Sequence, residues 1–289
     1  VVRPVYGLPA AARPRLVRAR HDLRLARELR RLGARFDGTA GLYVQSLTSG
    51  AGAAWNAGAE FPGASTLKVA IAAAVLAEHR GLPPPGSRLD RLLQEMIVPS
   101  DDEAANELLV WLGGSTSAGG RRVTGLMRDL GMRDSEMYGG YLTRSVSGPI
   151  PVRVERQPAF VGKRTSARDL ALLLRALWLR SAGLGPFGRV RPGLTAAEAR
   201  YLLWLLASVR DTPKLDRFLA GRPGVAVLHK AGWISTARHD AGLVFWRGGV
   251  FVAAAMTWRP AGAKAADVLA GRLALRALAR FRELAGMRG

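Results

Sequence analysis

A serine and a lysine three residues apart, Ser65 and Lys68, constrain this chain more than any other feature of its sequence. They follow the helix-breaking residues 61–64 and open an apolar run over residues 69–77, so we expect a helix over about residues 65–80. Residues three apart lie on one face of a helix, and the Lys68 amine can therefore reach the Ser65 hydroxyl. The positive end of the helix dipole also favours negative charge that develops at Ser65. The pair predicts a nucleophile and its base, although the motif alone is equally typical of an unrelated surface Ser and Lys.

Composition excludes several classes of protein. The chain has 289 residues, 48% of them hydrophobic, which is enough to bury the core of one large domain or two intertwined ones. It contains no cysteine, so disulfides, zinc–thiolate sites and thiol catalysis are excluded. No run approaches 18 apolar residues, so we expect no membrane span. We expect no metal, because the spacing of metal ligands is absent from the four histidines, His21, His79, His229 and His239.

The net charge of +21 comes from 38 Arg and five Lys against 22 acidic residues. Such a charge favours an anionic partner, for example anionic cell-wall polymers. The arginines are scattered along the chain, which instead indicates a compositional bias on solvated helix faces, and no nucleic-acid-binding pattern is present. Residues 1–4 lack an initiator Met and an apolar signal core, so we expect either a removed signal peptide or a trimmed chain.

The hydrophobic pattern predicts helices at both ends of the chain, with strands next to them and further helices in the middle. Residues 134–164 are rich in Gly and Pro and read as a long loop, which is more often functional than not. The predicted strands cover residues 41–47, 53–59, 225–230, 242–246 and 250–258. The predicted helices cover residues 14–33, 65–80, 88–97, 102–112, 119–130, 166–182, 194–209 and 262–285.

This order of elements predicts an α/β (α+β) fold. Strands from both ends of the chain pair into one antiparallel five-stranded sheet, flanked by the terminal helices, only if the helical middle is an insertion. We expect an α/β sheet lobe of residues 14–62 plus 220–289. An all-helical lobe of residues 63–219 would carry the nucleophile helix, and the two lobes would form a single catalytic domain.

Two further motifs stand in the same order along the chain. Ser100-Asp101-Asp102 follows Pro99 at a predicted helix start, and Lys230-Ala231-Gly232 ends a predicted strand. Ser100 alone would be interpreted as a helix N-cap. Together with Ser65-x-x-Lys68, however, these motifs resemble the class A β-lactamase and penicillin-binding protein superfamily. The resemblance covers nearly the whole chain, and three runs add to it: Ser100 to Asn106, Thr165 to Leu170, and Arg238 to Asp240.

The resemblance implies a role for each motif. Ser65 would be the nucleophile, Lys68 its base, Ser100 a proton relay to the leaving nitrogen, and Lys230 an electrostatic support. The implied protein is a monomeric, cofactor-free serine hydrolase, secreted, periplasmic or in the cell envelope, acting on a β-lactam or a peptidoglycan-like substrate. The implied substrate-binding residues are Asp102, Gly232, Trp233 and Arg238, with the Ser65 and Trp233 amides as the oxyanion hole and Arg238 as a carboxylate ligand.

The sequence also departs from the family pattern. Asp102 stands where Asn is usual and cannot donate a hydrogen bond when ionised, and Ala231 replaces a Thr hydroxyl. No E-x-x-L-N motif occurs in residues 107–165, so the carboxylate that activates water for deacylation is missing. Glu136 is the first candidate for that base and Glu155 the second, although each is also typical of a solvated surface group. The alternatives are therefore a D-alanyl-D-alanine peptidase or esterase, or a slowly deacylating penicillin-binding or sensing protein.

Overall fold

The computed structural model describes residues 13–141, 163–211, 213–258 and 263–286. The strands are β1 (Arg20–His21), β2 (Thr39–Ser46), β3 (Ala51–Trp55), β4 (Phe61–Pro62), β5 (Arg164–Thr165), β6 (Ala226–Ile234), β7 (Ala237–Trp246) and β8 (Gly249–Trp258). The α-helices are α1 (Leu23–Ala34), α2 (Lys68–His79), α3 (Arg88–Ile97), α4 (Asp102–Gly113), α5 (Thr116–Asp129), α6 (Ala167–Arg180), α7 (Ala196–Ala207) and α8 (Ala263–Leu284).

The main sheet has six strands in the order β1-β3-β2-β8-β7-β6. Five of them, β2, β3, β6, β7 and β8, pair antiparallel with one another, so the predicted α/β class is confirmed. The sixth, β1, has two residues and pairs parallel with β3, and it was not expected. All six helices from α2 to α7 lie between β3 and β6 in the chain. The helical middle is therefore an insertion between strands of one sheet, as predicted.

The predicted helix over residues 14–33 is wrong in its first part. Extended backbone precedes the helix, because the Arg20 amide donates to the Gly50 carbonyl and the Asp22 amide to that of Gly52, both at 2.9 Å. The Asp22 side chain then accepts from the Leu25 amide and caps α1. The arginine-rich pattern is typical of a helix both before and after Asp22, so it predicted one helix over the whole segment. The helix begins only after Asp22, because this residue caps it.

The sheet forms the middle of three layers. Side chains alternate between its faces, so along β8 Phe251 and Ala253 pack in one apolar cluster while Val250 and Val252 pack in another. The first cluster joins the sheet to Leu25 and Leu29 of α1 and to the apolar residues of α8. The second joins it to α2–α7. The terminal helices thus cover one face and the inserted helices the other.

Helix α2 lies at the centre of the helical layer. Each residue from Lys68 to Ala77 is buried, so this helix is covered on all sides by its neighbours. The short pairing of β4 with β5, which sets Phe61 opposite Thr165, ties the entry of the helical segment to the start of α6. The lobe boundaries at residues 62/63 and 219/220 stay a prediction. Within the described residues, no helix combines the length and apolarity needed to cross a bilayer.

His239 links β7 to the strand that precedes the nucleophile. Its Nε2 lies 2.8 Å from the Pro62 carbonyl oxygen and must donate to it, and its Nδ1 accepts from the Thr257 amide at 3.2 Å. Both bonds require the neutral imidazole. Burial lowers the pKa of His239 to about 4.

A pH-dependent stability follows from His239. Its pKa is lower in the folded than in the unfolded chain, so its contribution is complete above pH 6.5 and is lost as the pH falls towards 4. We expect His239→Gln to be less stable than wild type at pH 7.5, and the difference to shrink by about 2 kcal/mol at pH 5.0. Urea unfolding of both proteins at both pH values measures this. A difference that is independent of pH would contradict the assignment.

Candidate active site

Ser65 lies in a tight turn before α2, not in the α-helix itself. Residues Ala64–Leu67 form a 3₁₀ turn, and Lys68 is the first residue of α2, so the predicted helix start at 65 is corrected. Ala64 has a φ of 43°, in the left-handed region that non-glycine residues rarely adopt. The strained residue therefore directly precedes the predicted nucleophile, which is half-buried.

The amine of Lys68 is fully buried beside the start of α4. Its Nζ donates to Asp102 Oδ1 and to the Ser100 carbonyl, both at 2.5 Å, with Ser100 Oγ at 3.4 Å. In the part of the chain that the structure describes, these are its hydrogen-bond partners, so the amine lies against Ser100 rather than Ser65. Burial lowers the pKa of Lys68, and the bond to Asp102 partly offsets this.

The Ser100 hydroxyl oxygen also accepts a hydrogen bond from a second buried amine, that of Lys230. Lys230 Nζ donates to Ser100 Oγ at 2.8 Å, and the Lys230 side chain is buried as deeply as that of Lys68. Burial, followed by the charge of Lys68, lowers the pKa of Lys230 to about 7. Because two amines approach the Ser100 oxygen, its own O–H is free to donate to a third group.

The backbone at Ser100 explains how its side chain reaches both amines. Its φ is 68°, again in the left-handed region. Ser100 is not the helix cap, because Asp101 caps α4 by accepting from the Ala104 amide at 2.6 Å. Holding a non-glycine residue in this conformation costs about 1–2 kcal/mol, which the surrounding hydrogen bonds must offset.

Strand β6 runs directly beside the Ser65 turn. A Cβ added to Gly232 would lie 2.8 Å from the backbone nitrogens of both Ser65 and Thr66. The absence of a side chain at 232 therefore allows the strand and the turn to meet. Trp233, the next residue, is 60% exposed. The geometry is compatible with the predicted oxyanion hole of the Ser65 and Trp233 amides, which stays a prediction.

Arg238 was predicted to bind a substrate carboxylate. In the structure its guanidinium donates to a carboxylate of the protein itself, that of Asp267. Its Nε and one terminal nitrogen donate to the two oxygens of Asp267 in α8, at 3.0 and 3.2 Å. Its guanidinium carbon lies 5.8 Å from the centre of the Trp233 ring. The predicted role stays a prediction, and a substrate would share this guanidinium with Asp267.

Glu136 lies in an ion pair. Its backbone bridges that of Arg164, and its carboxylate accepts from the Arg164 guanidinium at 2.9 Å. Arg164 also approaches Glu60 at 3.4 Å. The role predicted for Glu136 in deacylation therefore requires its pair with Arg164 to open, and it stays untested. Glu155, the second candidate, lies outside the described residues.

Three residues with no assigned role complete the site. The ring of Tyr141 lies 4.7 Å from Lys68 Nζ and 4.4 Å from Lys163 Nζ, measured to the ring centre. Asn106 holds the Tyr141 backbone through both its side-chain oxygen and its nitrogen, at 2.6 and 2.8 Å. Asn106 belongs to the motif that begins at Ser100, which was the only sequence signal for it. Nothing in the sequence pattern indicates Tyr141 or Lys163.

The described site brings two buried amines, Lys68 and Lys230, onto the hydroxyl of Ser100. No cluster of three or more His, Asp or Glu side chains is placed to hold a metal ion within the described ranges. A sequence model of the β-lactamase enzyme family matches residues 24–81 and 82–281, which is nearly the whole chain. The chain therefore belongs to the β-lactamase enzyme family. A search of curated protein sequences finds no match.

Solved structures show the same fold at low sequence identity. A variant of PBP-A, solved as an acyl-enzyme complex with penicillin G, is 23% identical with a TM-score of 0.70, covering 93% of this chain and 100% of its own. A β-lactamase from Sphaerobacter thermophilus is 22% identical with a TM-score of 0.67, covering 90% of this chain and 97% of its own. An ancestral class A β-lactamase is 20% identical with a TM-score of 0.70, covering 89% and 99%.

The close approach at Gly232 gives a prediction for stability. Gly232→Ala places a methyl group against two backbone nitrogens that cannot move without shifting the Ser65 turn, and we expect a loss of about 2 kcal/mol. The control is Gly125→Ala in α5, where nothing lies within 4 Å of the added Cβ and a helix interior gains about 1 kcal/mol from alanine. Chemical denaturation measures both. Equal stabilities of the two variants would contradict the contact.

Proposed function

We propose that this protein is a serine hydrolase that opens β-lactam amides through an acyl-enzyme on Ser65. The observation that carries the proposal is the meeting of two buried amines, Lys68 and Lys230, on the hydroxyl of Ser100. Buried amines with a lowered pKa exist partly as free bases near neutral pH, and such a base can accept a proton from a nucleophile.

In the proposed reaction the Ser65 oxygen attacks the lactam carbonyl carbon while its proton passes to the Lys68 amine. The oxyanion accepts hydrogen bonds from the amides of Ser65 and Trp233. The C–N bond breaks, and the nitrogen takes the hydroxyl proton of Ser100. The proton that Lys68 gained then passes to Ser100, directly or by way of Lys230, so both amines end in the protonation state in which they began. The product is an ester on Ser65, and water then hydrolyses it.

We assign substrate binding to the residues around Ser65 and Ser100. Gly232 lets β6 pack against the Ser65 turn, and the exposed Trp233 next to it offers the substrate an apolar surface. Asp102 holds Lys68, so it is less available to a substrate amide than the usual Asn. Arg238 would bind a substrate carboxylate alongside Asp267. The net charge of +21 suits anionic cell-wall polymers, and a β-lactam or peptidoglycan-like substrate suits a secreted, periplasmic or cell-envelope location.

A second candidate function is supported by the loop side of the site. On this side of Lys68 the described residues place Tyr141 and Lys163 and no carboxylate, and the carboxylate bonded to Lys68, that of Asp102, comes from the start of α4. Without a carboxylate to activate water, the ester on Ser65 would be hydrolysed slowly. The protein would then act as a penicillin-binding or sensing protein that stays acylated. A D-alanyl-D-alanine peptidase or esterase uses the same acylation chemistry and remains the alternative for a chain that does not react with β-lactams.

The nucleophile is tested by mass spectrometry. Incubation with penicillin G should add the mass of one acyl group to wild type, and Ser65→Ala should show no adduct. Ser46→Ala, which changes a buried serine of β2, is the matched control and should be acylated like wild type. An adduct that persists in Ser65→Ala would remove this residue from the mechanism.

Turnover separates the two candidates. With a chromogenic cephalosporin we expect a burst of about one equivalent followed by a slow steady phase, because acylation outpaces deacylation. Glu136→Gln should leave the slow phase unchanged, since Arg164 already holds that carboxylate. Rapid turnover without a burst would contradict slow deacylation, and inertness would favour the peptidase or esterase. A slow phase reduced tenfold or more in Glu136→Gln would identify Glu136 as the water-activating base.

A further inference from the structure

The loop side of the site carries a second amine next to Lys68. Lys163 Nζ lies 4.4 Å from the centre of the Tyr141 ring, and Lys68 Nζ lies 4.7 Å from the same point. The face of an aromatic ring attracts a cation, and here one ring is shared by two. Two ammonium groups within reach of one ring also repel each other, so the charge on one opposes the charge on the other.

The ring is held firmly in this place. Asn106 binds both the amide and the carbonyl of Tyr141, and the Tyr141 hydroxyl donates to the Ala64 carbonyl at 3.1 Å. Lys163 donates to the carbonyl of Gly140 at 2.6 Å. Burial raises the pKa of Tyr141 well above its ordinary value, so its phenol stays neutral and supplies no charge to either amine.

The charges around these amines are unbalanced. Asp102 is the only carboxylate bonded to any of the three amines of Lys68, Lys163 and Lys230 within the described residues. Asp101, exposed at the start of α4, is the other acidic group near Lys68. The charges of Asp211 and Asp240 also act on Lys230. After burial, the charge of Lys68 adds to the lowering of the pKa of both Lys163 and Lys230, so the protons that the three amines hold are coupled.

We propose that Lys163 is a positioning residue of this site, which shares the ring of Tyr141 with Lys68 and helps Lys68 to release its proton. This inference rests on the proposed function, because it takes the free amine of Lys68 to be the base that accepts the Ser65 proton. The direction follows from the charges: a cation near Lys68 disfavours its protonated form, while Asp102 favours it. Removing the Lys163 charge should therefore leave less free amine on Lys68 at neutral pH.

The chain allows the protonation of Lys68 to be measured directly, because it contains only five lysines. With lysine labelled by ¹³C at Cε, each side chain gives one signal, and replacing one lysine at a time assigns it. Wild-type Lys68 should titrate at a lower pH than an ordinary lysine. In Lys163→Met its midpoint should rise by about one pH unit, and Lys264→Met, the matched control, should leave it unchanged.

A kinetic measurement gives the second readout. The rate of acylation by penicillin G should fall on the acid side of its pH profile, where Lys68 becomes protonated. In Lys163→Met the midpoint of this fall should move to higher pH by the same amount. At a fixed pH below the midpoint, the variant should therefore be acylated about tenfold more slowly than wild type. Lys163→Gln serves if the methionine variant does not fold. A wild-type Lys68 that titrates at the ordinary value for a lysine, or a Lys68 midpoint unchanged in both Lys163 variants, would overturn the proposal. Absence of any acylation in wild type would sink the proposed function, while the NMR titration still decides the role of Lys163.

Discussion

Everything at this site depends on one hydroxyl, Ser100 Oγ, on which two buried amines meet. An isolated ammonium buried away from water is costly, and Lys68 and Lys230 remain there only because acceptors are placed for them. Those acceptors come from the start of α4, while the amines come from α2 and β6. The three segments are held together by the same bonds that tune the amines, so the architecture and the chemistry share one set of interactions.

The sheet supplies the second constraint. Residues two apart on a strand lie on the same face, so Lys230 and Gly232 of β6 face the same side of the sheet. The lysine donates to Ser100, and the glycine allows the strand to approach the backbone of Ser65 and Thr66. The spacing of this motif is therefore a consequence of strand geometry. Each of the two residues meets a different part of the same site.

Local patterns predicted most of the fold. The predicted strands over residues 242–246 and 250–258 lie in β7 and β8, which pair as a hairpin with Trp246 opposite Gly249. Helix α3 has the predicted bounds, because the serine cap at Ser87 and the apolar periodicity agree. The two-residue strand β1 was missed because its pairing with β3 depends on contacts about 30 residues away along the chain.

The site was predictable only where a motif carried it. The residues of the three motifs were identified from their order, and the structure brings Lys68, Ser100 and Lys230 together. Tyr141, Lys163 and Asp267 were not identified, because their positions depend on how loop and helix pack rather than on spacing. The same long-range packing places Glu136 on Arg164, which no local pattern could indicate.

The most direct test of Ser65 as the acylated nucleophile is a crystal structure of the protein after reaction with penicillin G. Continuous electron density should run from Ser65 Oγ to the opened lactam. The carbonyl oxygen should lie between the amides of Ser65 and Trp233, and the released nitrogen should lie near Ser100 Oγ. A covalent bond to any other side chain, or an intact lactam bound without a covalent bond, would contradict the role of Ser65.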